Sequence, residues 1–322
     1  MSQTFELIPS LPGFPPLKPS VLNERACLNA ARSLGEDAGA FCPTQGIADA
    51  INTALCVGEP LLLTGEPGTG KTQTAYFAAH QLGIGTGPDR VFHFQVKSDS
   101  QARDLFYHFD TVGYFHAANI AKLENTNIAK LDKKPFVEKG KLWEAYDKGK
   151  ELGHPCVLLL DEIDKAPRDF PNDLLHELDQ MNFEVKEINL RVDMTPQCRP
   201  LVFITSNSER RLPEPFLRRC VYHHIRFDKD LLKSVVEAKK RAGNYTKLSN
   251  QFIENAIQRF LDLRDSSLRK PPSTAEFLVW LRLLEAAGKV KEAQLGDSDL
   301  SRLPYLGALL KTQADLEQFR GS

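Results

Sequence analysis

The chain has 322 residues, 42% of them hydrophobic, enough for one large core and a smaller second one. With 41 Lys and Arg against 42 Asp and Glu, its formal net charge is −1, which argues against a general nucleic-acid binder, whose phosphate contacts need a basic excess or stripe. The cysteines are scattered and lack C-x-x-C spacing, so they read as free thiols of a reducing compartment and not as a disulfide or zinc framework.

Residues 1–11 carry no basic stretch followed by a long apolar run, and no segment approaches a membrane-spanning length. The expected location is the cytoplasm. Pro9, Pro12, Pro15, Pro16 and Pro19 give residues 1–20 the character of an extended arm, part of an N-terminal arm or linker over 1–40. From Pro43 the spacing of Ile47, Ile51, Ala54 and Leu55 predicts a helix that stops at Gly58. Leu61, Leu62 and Leu63, between Pro60 and Gly65, are too short for a helix and predict a buried strand. A loop over 65–70 and a helix over 71–82 follow.

Further short apolar runs at 91–96, 157–160, 201–205 and 221–227 alternate with helical or irregular stretches, which points to a parallel sheet covered on both faces. The long interval after 96 contains an aromatic stretch (105–116) and a Lys-rich one (122–141), read as partly inserted. After Asp228 strand signals vanish. Amphipathic helices are predicted over 230–242, 250–263, 274–287 and 300–319, with Asn250 and Ser273 at N-cap positions. The fold class is therefore α/β: a P-loop parallel sheet sandwiched by helices over 41–227, with an all-helical C-terminal domain over 228–322.

Gly65-Glu66-Pro67-Gly68-Thr69-Gly70-Lys71-Thr72 matches G-x-x-x-x-G-K-[ST] at every constrained position. Glycines let successive backbone N–H groups turn inward around phosphates, and the helix that follows aims its N-terminal dipole at the same anions. Lys71 is the point charge for the β/γ-oxygens, and the Thr72 hydroxyl is a Mg²⁺ ligand. The nucleotide-binding set is completed by Gln73, in the first turn of that helix.

Val157-Leu158-Leu159-Leu160 ends in Asp161-Glu162, two acids at the carboxyl edge of a central strand, where such sheets bind nucleotide. Asp161 is the second Mg²⁺ residue, and Glu162 the general base for water attacking ATP. The 201–205 strand leads to Asn207, placed to hydrogen-bond that water or the γ-phosphate. Arg218 and Arg219, just before the last strand, are candidates for the arginine-finger role.

The order of phosphate loop, Asp-Glu strand, Ser-Asn strand end and Pro-x-x-x-Leu-Arg-Arg resembles the AAA+ ATPase superfamily, and its wording is similar to the MoxR group. Pro60 to Thr72, Gly140-Lys141-Leu142-Trp143, Asp161 to Pro167 and Leu212-Pro213-Glu214-Pro215 carry the resemblance. It implies a homo-oligomeric ring, a hexamer, with ATP between subunits and Arg219 donated in trans, Arg218 being the alternative. It also implies an insert near 105–118, a hairpin near 183–200, a C-terminal lid, and chaperone-like remodelling of a protein substrate beside a von Willebrand factor A domain partner. The family pattern offers a sensor arginine where this chain has Ala275; either Arg269 or Lys270 substitutes or the contact is missing.

Other classes stay open at this level: a nucleic-acid-associated motor or loader, a P-loop small-molecule kinase, or a slowly hydrolysing assembly platform. His93, His108, His116, His223 and His224 lack metal spacing and read as packing or strand residues, and Trp143 and Trp280 as core. For Phe106, Tyr107, Phe109, Tyr114 and Phe115, core packing competes with a partner-gripping tip.

Overall fold

The computed structural model describes residues 34–35, 38–123, 131–180, 182–207, 212–241, 243–288, 295 and 299–320. The Pro-rich 1–20 stretch and part of the Lys-rich one lie outside them. In chain order the elements are α1 (Gln45–Val57), β1 (Leu61–Gly65), α2 (Lys71–Gln81), β2 (Val91–Gln95), β3 (Tyr107–Phe109), α3 (Thr111–Leu123), β4 (Val137–Lys139), α4 (Lys141–Leu152) and β5 (Val157–Asp161). They continue with α5 (Phe170–Gln180), β6 (Asn182–Val185), β7 (Leu190–Asp193), β8 (Leu201–Ser206), α6 (Glu214–Leu217) and β9 (Val221–Ile225). The last group is α7 (Lys229–Arg241), α8 (Asn250–Asp265), α9 (Thr274–Ala287), α10 (Leu306–Leu309) and α11 (Gln313–Arg320).

These residues form two compact units, one of Leu34–Glu66 and Gly70–Arg226, the other of residues from Phe227 onward together with Pro67–Thr69. In the first, five parallel strands run in the order β2-β5-β8-β1-β9, flanked by helices. The apolar runs account for this. Every residue of β1 and β5 is buried, as a strand covered on both faces requires. Helix α1 stops where the spacing predicts: Gly58 takes the left-handed conformation at φ 73° and its N–H returns to the Ala54 carbonyl. Two antiparallel ribbons stand apart from the main sheet, β3 with β4 and β6 with β7. The second ribbon lies where the resemblance places a hairpin.

The helical unit has its own core, with Trp280, Phe260, Phe277 and Tyr245 completely buried. Two expectations need correction here. The N-cap of α8 is Ser249, whose hydroxyl accepts from the Phe252 amide at 3.0 Å, and not Asn250, which is the first helical residue. No continuous helix spans 300–319. Pro304 has no N–H and excludes helical backbone from Leu303, which is extended at φ −61°, ψ 128°, and so parts a short 3₁₀ turn from α10; a second break falls at Leu310, extended at φ −91°, ψ 130°, before α11. The Ser273 cap of α9 is as expected, reinforced by Glu276 in a capping box.

Trp280 ties the broken segment back, its indole N–H donating to the Pro304 carbonyl at 2.7 Å. Trp280→Ala is expected to destabilise the helical unit by about 3–5 kcal/mol, read as a lowered denaturant midpoint. A loss below about 1 kcal/mol would show that the site collapses around the smaller side chain.

Candidate nucleotide site

The phosphate loop joins β1 to α2. Gly68 and Gly70 sit at φ 81° and 94°, backbone that a side chain rarely adopts. At Gly70 a Cβ would also come within 2.8 Å of the Phe41 ring, so only glycine lets the loop turn there. The Lys71 ammonium folds back into the loop, donating to the Gly65 carbonyl at 2.8 Å and the Glu66 carbonyl at 2.9 Å. Burial holds this ammonium below the usual lysine range, although Asp161, Asp164, Glu162 and Glu66 pull it upward. A partly desolvated cation ringed by acids gains strongly when a polyanion arrives.

Thr72 opens α2 and donates its hydroxyl to the Asp161 carboxylate at 3.0 Å. Asp161 closes β5 and is almost wholly buried. Burial works against its ionised form, but hydrogen bonds from His93 and Thr205, the nearby His93 ring and the Thr72 hydroxyl outweigh it and hold the carboxyl below its ordinary range. The distances are 3.2 Å to His93 Nε2 and 2.5 Å to Thr205 Oγ1. Among the described residues no group of three or more His, Cys, Asp or Glu could hold a metal ion. A divalent ion at Thr72 and Asp161 would therefore take most of its ligands from phosphate oxygens and water, as Mg²⁺ commonly does.

Glu162 follows in left-handed backbone at φ 62°, a conformation that costs energy for a non-glycine residue and must be held by its surroundings. Its amide donates to Thr205 Oγ1 at 2.9 Å, and its carboxylate takes Gln95 Nε2 and Lys165 Nζ, each at 2.5 Å. Asn207, exposed at the end of β8, is anchored by its backbone N–H on Asp164 at 3.0 Å, and Ser206 bonds the same oxygen. Gln73 turns its amide to the Leu34 carbonyl at 2.9 Å.

The structure thus brings Lys71, Thr72, Asp161 and Glu162 to one edge of the sheet. Arg218 and Arg219 follow α6 and are both exposed; the Arg218 guanidinium engages Glu214. Sequence reasoning missed His93, Gln95 and Thr205. The first two are alternate residues of β2, beside the Asp-Glu strand, with Gln95 in register with Asp161, a signal visible only once β2 is known to neighbour β5.

The AAA domain model of the dynein-related subfamily matches residues 60–220, from the residue before β1 to the residue before β9. The chain belongs to this AAA domain family. Within the AAA+ ATPases, the domain supplies the αβα nucleotide-binding architecture seen here. No curated protein matches the chain in sequence. Among solved structures it is similar to a candidate ATPase from Cytophaga hutchinsonii, with 15% identity, a TM-score of 0.40, and coverage of 81% of this chain and 78% of that one. It is also similar to NtrX from Brucella abortus in complex with ATP, with 17% identity, a TM-score of 0.49, and coverage of 87% of this chain and 60% of that one. The ADP complex of NtrX gives 15% identity, a TM-score of 0.49, and coverage of 88% and 62%. The chain therefore spans about three fifths of the length of NtrX. No helix of the described residues is long and apolar enough to cross a membrane.

Proposed function

We propose that this chain is a Mg²⁺-dependent ATP hydrolase of the MoxR-like type, working in the cytoplasm as a homo-oligomeric ring that remodels a protein partner. The observation that supports it best is the convergence of the Lys71 ammonium, the Thr72 hydroxyl and the ionised Asp161 carboxylate at the mouth of the phosphate loop. The backbone of 65–72, with Gln73, holds the triphosphate, and Thr72 with Asp161 holds the metal. Bound Mg²⁺ supplies Lewis-acid charge against the phosphate oxygens.

Glu162 accepts the proton of the attacking water. Gln95 and Lys165 both bind its Oε2, which leaves Oε1 as the oxygen to take that proton. Asn207, its backbone anchored on Asp164, presents its amide to the water or the γ-phosphate. Arg219 is donated to the neighbouring subunit's ATP, Arg218 being the alternative; the ring is a hexamer, and a von Willebrand factor A domain protein is the expected partner. Ala275 leaves the sensor position without a cation; either Arg269 or Lys270 takes over that contact or the contact is missing. Their backbone N–H groups are pinned by buried Asp315, at 2.8 and 3.2 Å.

The trans assignment has a direct check. Arg219→Ala and Lys71→Ala chains, each inactive alone, are expected to recover part of the ATPase rate when mixed, because some interfaces then pair an intact loop with an intact arginine. Mixed rings that form and show no recovery at any ratio would remove Arg219 from the trans role.

A further inference from the structure

Helix α3 is built inside out. Its small residues turn toward the body of the protein, with Ala121 buried and Tyr114 resting against Phe109 and Phe136. Its large apolar residues turn outward: Val112, Phe115, Ile120 and Leu123 are 80%, 62%, 43% and 85% exposed. At about 100° per residue these four share one face of the helix, with exposed His116 and Asn119 between them, a mixed and mainly apolar ridge about 16 Å long. Lys122 stands exposed on the Phe115 flank of this ridge, and Lys133 and Lys134 are exposed in the segment that packs on the Tyr114 side of the helix, Lys133 placing its ammonium 5.7 Å from the centre of the Tyr114 ring. A mainly apolar ridge on a surface helix marks a contact site, and the excess of lysine near it favours acidic neighbours.

The same compact unit carries a surface of opposite character. An open groove of about 1000 Å³ lies between the segment leading into β3, the start of α5, and β6. Phe106, Phe170 and Phe183 give it aromatic walls. Asp99, Asp169, Asp173, Glu184 and Glu187 line it, against only Arg103 and Lys186. One oxygen there lacks a counterpart: Glu187 Oε2 is shut from water and has no hydrogen-bond partner. The Glu187 carboxylate is nonetheless engaged by the Tyr107 hydroxyl, a hydrogen bond that, after burial, is the largest influence raising that hydroxyl.

We propose that the α3 ridge of one copy seats in the acidic groove of a second copy, apolar side chains on aromatic walls and lysines on carboxylates. The contact is one-sided, ridge to groove, which lets assembly continue from copy to copy. This rests on the self-assembling reading above and names the surfaces that would carry it.

The test is the mass of the full chain by light scattering over a concentration series, with and without ATP. Charge reversal of the ridge (Lys122→Glu, Lys133→Glu, Lys134→Glu) or of the groove (Asp169→Lys, Asp173→Lys, Glu184→Lys) is expected to weaken self-association by roughly tenfold or more. All six positions are exposed, so the fold should survive, as circular dichroism can verify. Mixing the two reversed chains, or placing both reversals on one chain, should restore association, because opposite charges meet again. If the unaltered chain assembles and reversal changes nothing, the ridge and groove are not its interface, while ring formation stands. If each reversal weakens assembly but neither combination restores it, the two surfaces do not face each other. A chain monomeric under every condition overturns both this contact and the ring.

Discussion

Lys71→Ala is expected to abolish useful ATP binding, lowering affinity by roughly 100-fold or more, about 2.7 kcal/mol. The reason lies in where the ammonium sits. It is held inside the loop on two backbone carbonyls, partly out of water, with carboxylates on several sides. Bound triphosphate takes over as its partner in surroundings where a charge pair is worth more than in water. Alanine leaves the loop amides in place but removes the one cation of the motif, so the polyanion meets Asp161 and Glu162 without compensation. Calorimetric titration with Mg-ATP measures the change. An unaltered dissociation constant would mean that phosphate binds elsewhere.

Glu162→Gln separates binding from chemistry. The amide keeps the shape of the side chain but cannot accept a proton from water, so turnover should fall by about 10²–10⁴-fold while ATP remains bound. The variant should also accumulate as the assembled ring in ATP, visible as a nucleotide-dependent rise in mass. A monomer that keeps turning over ATP at the normal rate would remove Glu162 as base and favour a small-molecule kinase reading. A variant that binds ATP, stops turning over and stays monomeric would keep the catalytic assignment and remove the ring.

Much of the site was legible because its parts are local. The spacing of Gly65, Gly70, Lys71 and Thr72 encodes a turn and a helix start within a few residues, and the leucines before Asp161 mark a buried strand whose acids emerge at its end. The sheet itself followed from short apolar runs separated by helical stretches. Where local reading failed, a proline or a one-residue shift was responsible: Pro304 breaks the last helical run, and Ser249 takes the cap from Asn250.

The sequence by itself determined the phosphate loop, the paired acids and the αβα class, because each rests on neighbouring residues whose backbone preferences and periodicity act over one or two turns. Tertiary structure alone decided the company those residues keep. His93 reaches Asp161 across 68 positions and Thr205 across 44, contacts that exist only because β2, β5 and β8 lie side by side. It also decided that α3 buries Ala121 and shows Val112, Phe115, Ile120 and Leu123. Helical periodicity gives the angle between residues, but which side faces the body depends on what the rest of the chain packs beneath it.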